Sequence, residues 1–147
     1  MIMADGDYIS NKDDIEKLFG KENVKQWANP DNDGDHETVV NRIDWANEYA
    51  EQEFLGRIAE GPYDIVAIRA TPPKMTIIIC ASIAGSSLYD TRRVVDSEEA
   101  TDRVSIQRKN ADKWIAQMLS GRLKLIHPTT YALIEKLAQN SPQVYEE

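Results

Sequence analysis

Cysteine and histidine are scarce in this sequence. The single cysteine, Cys80, makes a disulfide within the chain impossible and rules out a zinc site built on several cysteines. The two histidines, His36 and His127, do not have the spacing of a helical HExxH metal pair. Cys80 lies in the apolar run Ile77–Ala81, where we expect a buried structural thiol rather than a nucleophile.

Long apolar runs are also missing. The most apolar stretch, Met75–Ala84, is about 10 residues long, whereas a membrane span needs roughly 20. Met1–Ser10 is acidic and lacks the basic start and apolar core of a secretory signal. We therefore expect no membrane contact. The single cysteine suits a reducing cytosol or a particle assembled there.

The motifs of common enzymes are absent too. No glycine-rich GxGxxG or Walker loop occurs, which argues against a nucleotide site. Ser82 lacks the flanking glycines of a nucleophile elbow. We expect neither catalytic residues nor a cofactor, and a helical hydrolase that uses two carboxylates is the enzymatic alternative.

Charge is distributed unevenly along the chain. Residues 1–64 contain 16 acids and 6 bases, whereas residues 65–147 contain 9 acids and 11 bases. An acidic half joined to a mildly basic half argues against tight nucleic-acid binding by the whole domain. The asymmetry permits head-to-tail contact between copies. The alternative interpretation is that the charges only keep a small protein soluble.

Helical periodicity dominates the first half. Ser10–Asp13 resembles a capping box and opens a short helix that ends at Phe19-Gly20; a second short helix covers 21–28. A long amphipathic helix then runs to Gly61-Pro62, with Glu48, Glu51 and Glu53 expected in solvent. Its apolar stripe consists of Val39, Ile43, Ala46, Ala50, Phe54 and Ile58.

The second half is predicted to add three helices to an all-α bundle. Thr71 caps a central apolar helix that reaches Tyr89, and Thr101 or Asp102 caps another that ends at Ser120, after a loop at 92–102. Pro128 starts the last helix. Short extended or hairpin segments are expected near 65–70 and 122–126. The inner face of the helix ending at Ser120 is predicted to consist of Val104, Ala111, Ile115, Met118 and Leu119.

The loop between Asn29 and Glu37 has the alternating acids of a calcium site. Asp31, Asp33 and Asp35 are the candidate ligands, and Gly34 suits the required turn if Asn29 is the first position. The twelfth position is then Val40 instead of a bidentate glutamate. We favour a turn whose aspartates cap the long helix, and we predict no metal site.

A basic segment follows at 103–124. Arg103, Arg108, Lys109 and Lys113 are candidates for contact with nucleic acid or with an acidic partner. The other interpretation is the solvated side of an amphipathic helix. Trp45 and Trp114 are more typical of core or interface anchors than of base-stacking platforms.

The order of these elements resembles a known family. Five elements follow one another along the chain. They are a capped helix containing Asp14–Gly20, the acidic turn at 31–35, a long helix ending near Leu55-Gly56-Arg57, the pair Pro72-Pro73 and a basic amphipathic helix ending at Gly121. This order is similar to that of the small neck proteins of Mu-like phages and prophages, which resemble the head–tail adaptors of long-tailed phages. The resemblance covers roughly residues 7–125.

The resemblance implies a structural virion protein. Copies of the chain would form a ring, dodecameric to match the portal, between the portal and a tail-side neck or stopper protein, and DNA would pass through its lumen. Residues 1–125 would form the connector domain. Residues 126–147 lie beyond the resemblance, where we expect a C-terminal helix and tail. Its separate apolar stripe of Leu133, Ile134 and Leu137 motivates the hypothesis that this segment docks on the portal. The alternative function is a small regulatory or nucleic-acid-binding protein that uses the basic helix at 103–124.

Overall fold

The chain forms a bundle of helices around one central helix. The computed structural model describes residues 7–29, 36–91 and 98–136, and these ranges contain six helices and no strand. Helices α1, α2, α3 and α6 all pack against α5, which confirms the predicted all-α bundle. The helices are α1 (Lys12–Phe19), α2 (Lys21–Ala28), α3 (His36–Ile58), α4 (Ile65–Ala70), α5 (Lys74–Thr91) and α6 (Glu98–Ser120).

The first two helices end where the sequence predicted. Gly20 separates them with a φ of 92°, which glycine adopts without steric cost. The capping box begins one residue later than predicted: Asn11 is the N-cap and exchanges hydrogen bonds with Asp14. Ser10 is instead buried and donates a 2.7 Å hydrogen bond to the Asn47 side chain of α3.

Helix α3 buries the predicted stripe from Ile43 to Ile58, and it also buries Asn47 and Glu51 beside that stripe. Glu51, expected in solvent, is only 4% exposed. Its carboxylate accepts 2.9 Å and 2.7 Å hydrogen bonds from the Ile9 backbone amide and the Arg69 guanidinium. The expectation was wrong because a carboxylate with a cation and an amide as partners can be buried. Glu53 is also largely covered, by α6.

The segment 65–70 is a helix and not the predicted strand or extended connector. Asp64 caps it by accepting a hydrogen bond from the Ala67 amide, so a local cap overrides the β-branched composition. Thr71 ends this helix and does not begin the next one. Helix α5 begins at Lys74, and the carbonyl of Pro73 accepts the amides of Thr76 and Ile77.

Small residues let α1 approach the central helix closely. Every residue of α5 from Ile79 to Tyr89 is buried, as its apolar character predicted. A β-carbon built on Gly85 would lie 2.0 Å from Cε2 of Phe19. The absence of a side chain at Gly85 therefore determines how close α1 lies to α5.

Helix α6 begins earlier than predicted. It starts at Glu98, so Thr101 and Asp102 lie within it rather than capping it. Residues 98–102 of the predicted loop are therefore helical, and residues 92–97 lie outside the described residues. Val104, Ala111, Ile115 and Met118 are buried as expected. Leu119 is 45% exposed and lies beside Gly61 at the edge of the core, so its prediction was wrong.

The chain after α6 turns back on itself without forming the helix predicted at Pro128. We call residues 121–136 the C-terminal loop. Ile126 and Leu133 pair in an antiparallel bridge, and the Ile134 amide donates to the Leu125 carbonyl at 3.0 Å. The His127 side chain closes the turn, because its Nδ1 accepts the amides of Thr129 and Thr130. These local hydrogen bonds compete with helix formation.

The C-terminal loop is attached to the bundle at the end of α3. The hydroxyl of Tyr63 lies 3.0 Å from the Met118 carbonyl and 2.8 Å from the Leu123 carbonyl. The Lys136 ammonium donates to the Ala59 carbonyl at 2.8 Å. Leu125 and Ile134 belong to the same hydrophobic core as the helices.

A membrane span requires a long and strongly apolar helix. Within the described ranges, no helix has both the length and the apolar character that crossing a bilayer demands.

Candidate interaction surfaces

The four basic residues singled out on α6 lie in two different environments. Arg103 and Arg108 reach neighbouring helices, and Arg103 donates to the Phe19 carbonyl at the end of α1 at 3.3 Å. Lys109 and Lys113 are exposed and lie on the side of α6 that faces away from the buried Ala111. Only the two lysines therefore present their charge fully outward.

Arg108 belongs to a network of four charges between α3 and α6. Its Nη2 lies 2.5 Å from Glu53 Oε2, and its Nε lies 3.6 Å from Asp112 Oδ1. Arg57 contacts the same two carboxylates, at 3.4 Å and 2.7 Å. These side chains are partly covered, so the network holds the two helices in register rather than offering a cation to a ligand.

A pair of stacked aromatic rings lies on the outer side of α3. Trp45 and Tyr49 are 49% and 43% exposed, and their ring centroids are 5.7 Å apart at an interplanar angle of 14°. They are four residues apart, so they occupy one face of the helix. A hydrogen bond to the Glu53 carboxylate, together with the charge of that carboxylate, raises the pKa of the Tyr49 hydroxyl.

Acidic side chains flank these rings along α3, and Arg108 of α6 acts only on the Tyr49 side. Asp44 and Glu48 are exposed next to Trp45 and Tyr49. Arg42 is turned the other way, because it donates to the Trp27 carbonyl and to Thr91. We call Asp44, Trp45, Glu48 and Tyr49 the acidic aromatic face. Its aromatic residues are typical of protein interfaces, and its negative charge repels nucleic acid.

The C-terminal loop exposes a second set of apolar side chains. Tyr131 is 72% exposed, Leu133 55% and Ile126 42%. Tyr131 has a φ of 62°, an uncommon left-handed conformation for a bulky residue. Backbone strain of this kind concentrates at functional sites. Of the predicted docking residues, Leu133 is thus exposed, Ile134 is buried at 6%, and Leu137 lies outside the described residues.

The candidate calcium ligands belong to the acidic loop between Asn29 and Glu37. Asp31, Asp33 and Asp35 all lie outside the described residues. In the rest of the chain that the structure describes, no group of three His, Cys, Asp or Glu side chains could hold a metal ion.

The residues considered for nucleophilic catalysis have structural roles. Cys80 is fully buried, and this burial, with the charge of Glu51 nearby, raises the pKa of its thiol well above the usual value. The Ser82 hydroxyl donates to the Ile78 carbonyl within α5. His127 shapes the C-terminal loop. The hydrogen bonds of Ser82 and His127 go to backbone groups, whereas a nucleophile and its base would be bonded to each other.

Two of the surface clefts border α1. A cleft of about 410 Å³ between α1 and α5 contains Leu18, Pro72 and Ile77, with Lys17 and Lys74 at its edge. No histidine, serine or cysteine lines it. A second cleft of about 360 Å³, between α1, α2 and α3, contains Lys12, Lys21 and Lys25.

The sequence indicated these surfaces only in part. The sequence indicates Trp45 as a core or interface anchor and leaves those two roles open, and it assigns no role to its partner Tyr49. The spacing of four residues, displaced from the stripe of Ile43 and Ala46, is the signal that reveals the pair. Comparison with known proteins found no family model that matches the chain and no match among the curated proteins.

Proposed function

We propose that the protein is a head–tail connector of a long-tailed phage. Copies form a ring between the portal and a tail-side neck or stopper protein in the virion, and DNA passes through the lumen without being chemically altered. The protein is made in the host cytoplasm and takes its place during assembly. Its role is structural and needs neither a cofactor nor a catalytic residue.

The observation that carries this proposal is the stacked pair Trp45 and Tyr49. A small domain that leaves two large rings half-exposed on its outer side has a surface suited to another protein. The order of sequence elements that resembles the phage neck proteins supports the same role. The net charge of the chain, -8, suits a particle through which DNA must slide rather than stick.

The C-terminal loop is the proposed contact with the portal. Tyr131 and Leu133 are exposed on a short turn that is anchored to the bundle through Tyr63 and Lys136. An anchored loop with exposed apolar side chains can insert between the helices of a partner without disturbing the bundle. This loop replaces the helix that the sequence predicted for the docking arm.

Co-sedimentation with isolated portal rings tests the portal contact. We expect the wild-type chain to move with the portal and the Tyr131→Gly/Leu133→Ser variant to remain at the top of the gradient. Glycine suits the positive φ at position 131, so the variant removes both exposed apolar side chains without straining the turn. The matched control is Val66→Ser, which removes a 76% exposed apolar residue from α4. Equal sedimentation of wild type and loop variant would contradict this role of the loop.

Nucleic-acid binding through α6 is the second candidate, favoured by the exposed Lys109 and Lys113. It predicts affinity for duplex DNA at physiological salt that falls steeply as salt rises. The connector proposal predicts no measurable binding under these conditions. A fluorescence-anisotropy titration with labelled DNA at several salt concentrations distinguishes the two.

A further inference from the structure

Two outer faces of the molecule are complementary in charge. The acidic aromatic face of α3 presents Asp44 and Glu48 beside two rings. On α6, Lys109 and Lys113 are exposed beside Ile106, whose side chain is 57% exposed. We call Ile106, Lys109 and Lys113 the basic face. Asp102 lies on the same side of α6 but before this stretch.

The two faces also match in spacing. Asp44 and Glu48 are four residues apart, and so are Lys109 and Lys113. Four residues correspond to a rise of about 6 Å along a helix, so two such pairs can meet side by side. Lysine ammonium groups are also attracted to the faces of tryptophan and tyrosine rings.

The acidic aromatic face and the basic face do not contact each other within one chain. Helices α3 and α6 already meet through other sides, where Glu53 contacts Arg108 and Asp112 contacts Arg57. The acidic aromatic face and the basic face are both exposed. A surface and its complement on one molecule produce a head-to-tail contact between copies, in contrast to the isologous contact of a symmetric dimer.

We propose that the acidic aromatic face of one copy binds the basic face of the next. The carboxylates of Asp44 and Glu48 pair with the ammonium groups of Lys109 and Lys113, while Trp45 and Tyr49 cover Ile106. This contact goes beyond the proposed function, because a connector ring could be closed through other faces. It requires only that copies of the chain meet.

Charge reversal on each face, followed by their combination, tests the contact. The wild-type chain should associate in sedimentation-velocity runs at concentrations up to about 1 mM, the range in which weak contacts are populated. Asp44→Lys/Glu48→Lys alone and Lys109→Glu/Lys113→Glu alone should each weaken association at least tenfold. A chain carrying all four substitutions should associate again, because its faces are reversed together.

The controls separate folding from binding. Lys21→Glu/Glu60→Lys reverses one exposed charge of each sign away from both faces and should leave association unchanged. Thermal unfolding followed by circular dichroism confirms that every variant is folded. Trp45→Ala/Tyr49→Ala should weaken association without changing the net charge.

The outcomes also distinguish this contact from the connector role. A wild-type chain that stays monomeric at every concentration overturns the proposed contact. So does association that the fourfold variant fails to restore. Neither result decides whether the protein binds the portal. Portal binding is measured separately with the Tyr131→Gly/Leu133→Ser variant.

Discussion

Gly85 of α5 lies directly against the ring of Phe19 of α1. A β-carbon at Gly85 would be 2.0 Å from Cε2 and 2.4 Å from Cδ2 of that ring, well inside van der Waals contact. Phe19 is fully buried and also packs edge-on against Trp27, whose ring centroid is 5.6 Å away. The ring therefore has little room to move, and the packing of α1 and α2 depends on this glycine.

Gly85→Ala should accordingly destabilise the fold, even though alanine is the better helix former. We expect a loss of about 3 kcal/mol in the free energy of unfolding, because overpacking a filled core displaces neighbouring side chains. The matched control is Gly56→Ala in α3, where a β-carbon would meet nothing within 4 Å. That variant should gain about 0.5–1 kcal/mol. Urea unfolding of both variants measures the difference, and equal effects would contradict the described contact.

Glu51 should be important for attaching the N-terminal segment to α3. Its carboxylate holds the Ile9 amide and the Arg69 guanidinium, and its removal by Glu51→Ala leaves both without this partner. We expect a loss of about 3 kcal/mol in stability. Glu48→Ala, an exposed neighbour on the same helix, should change stability by at most about 0.5 kcal/mol. A Glu51→Ala variant as stable as Glu48→Ala would show that Glu51 is solvated.

Tyr63 should make the stability depend on alkaline pH. Burial raises the pKa of its hydroxyl, with a smaller contribution from the charge of Glu135. A raised folded-state pKa means that its contribution is fully present below the unfolded value of about 10 and is lost as pH rises through the folded value. Tyr63→Phe should cost about 1 kcal/mol at pH 7 and show a smaller fall in stability between pH 9 and 11. Chemical unfolding across this range measures both, and parallel curves for variant and wild type would refute the assignment.

Cys80 should be chemically silent in the folded protein. Its burial raises the pKa of the thiol and also blocks access, so two conditions for thiolate chemistry are absent. A thiol reagent at pH 8 should react only as fast as the bundle opens, and denaturant should accelerate the reaction steeply. Modification that is complete within minutes in native buffer would contradict the burial of Cys80.

The sequence predicted the helices better than their contacts. The apolar stripe of α3 and the glycine after Phe19 are local patterns, and both were confirmed. Glu51 was placed wrongly because its burial depends on Ile9 and Arg69, which lie far from it along the chain. A helical period indicates which residues share a face, but it does not indicate which second segment covers that face.

Two further differences arise from short hydrogen-bonded turns. The β-branched residues at 65–70 favoured a strand, but the side chain of Asp64 caps a helix there. Pro128 suits the first turn of a helix, but the His127 imidazole accepts the next amides and stabilises a turn instead. Of the exposed pair Trp45 and Tyr49, only Trp45 was singled out from the sequence. The spacing of the two residues indicates that they share a face of the helix, but it does not indicate that this face is exposed.

Electron microscopy of the protein mixed with a phage portal tests the proposed connector role most directly. We predict a ring of copies of this chain on the tail-side opening of the portal, with the C-terminal loop facing the portal and an open lumen. Portal rings that remain bare at saturating concentrations of the folded chain would contradict the account.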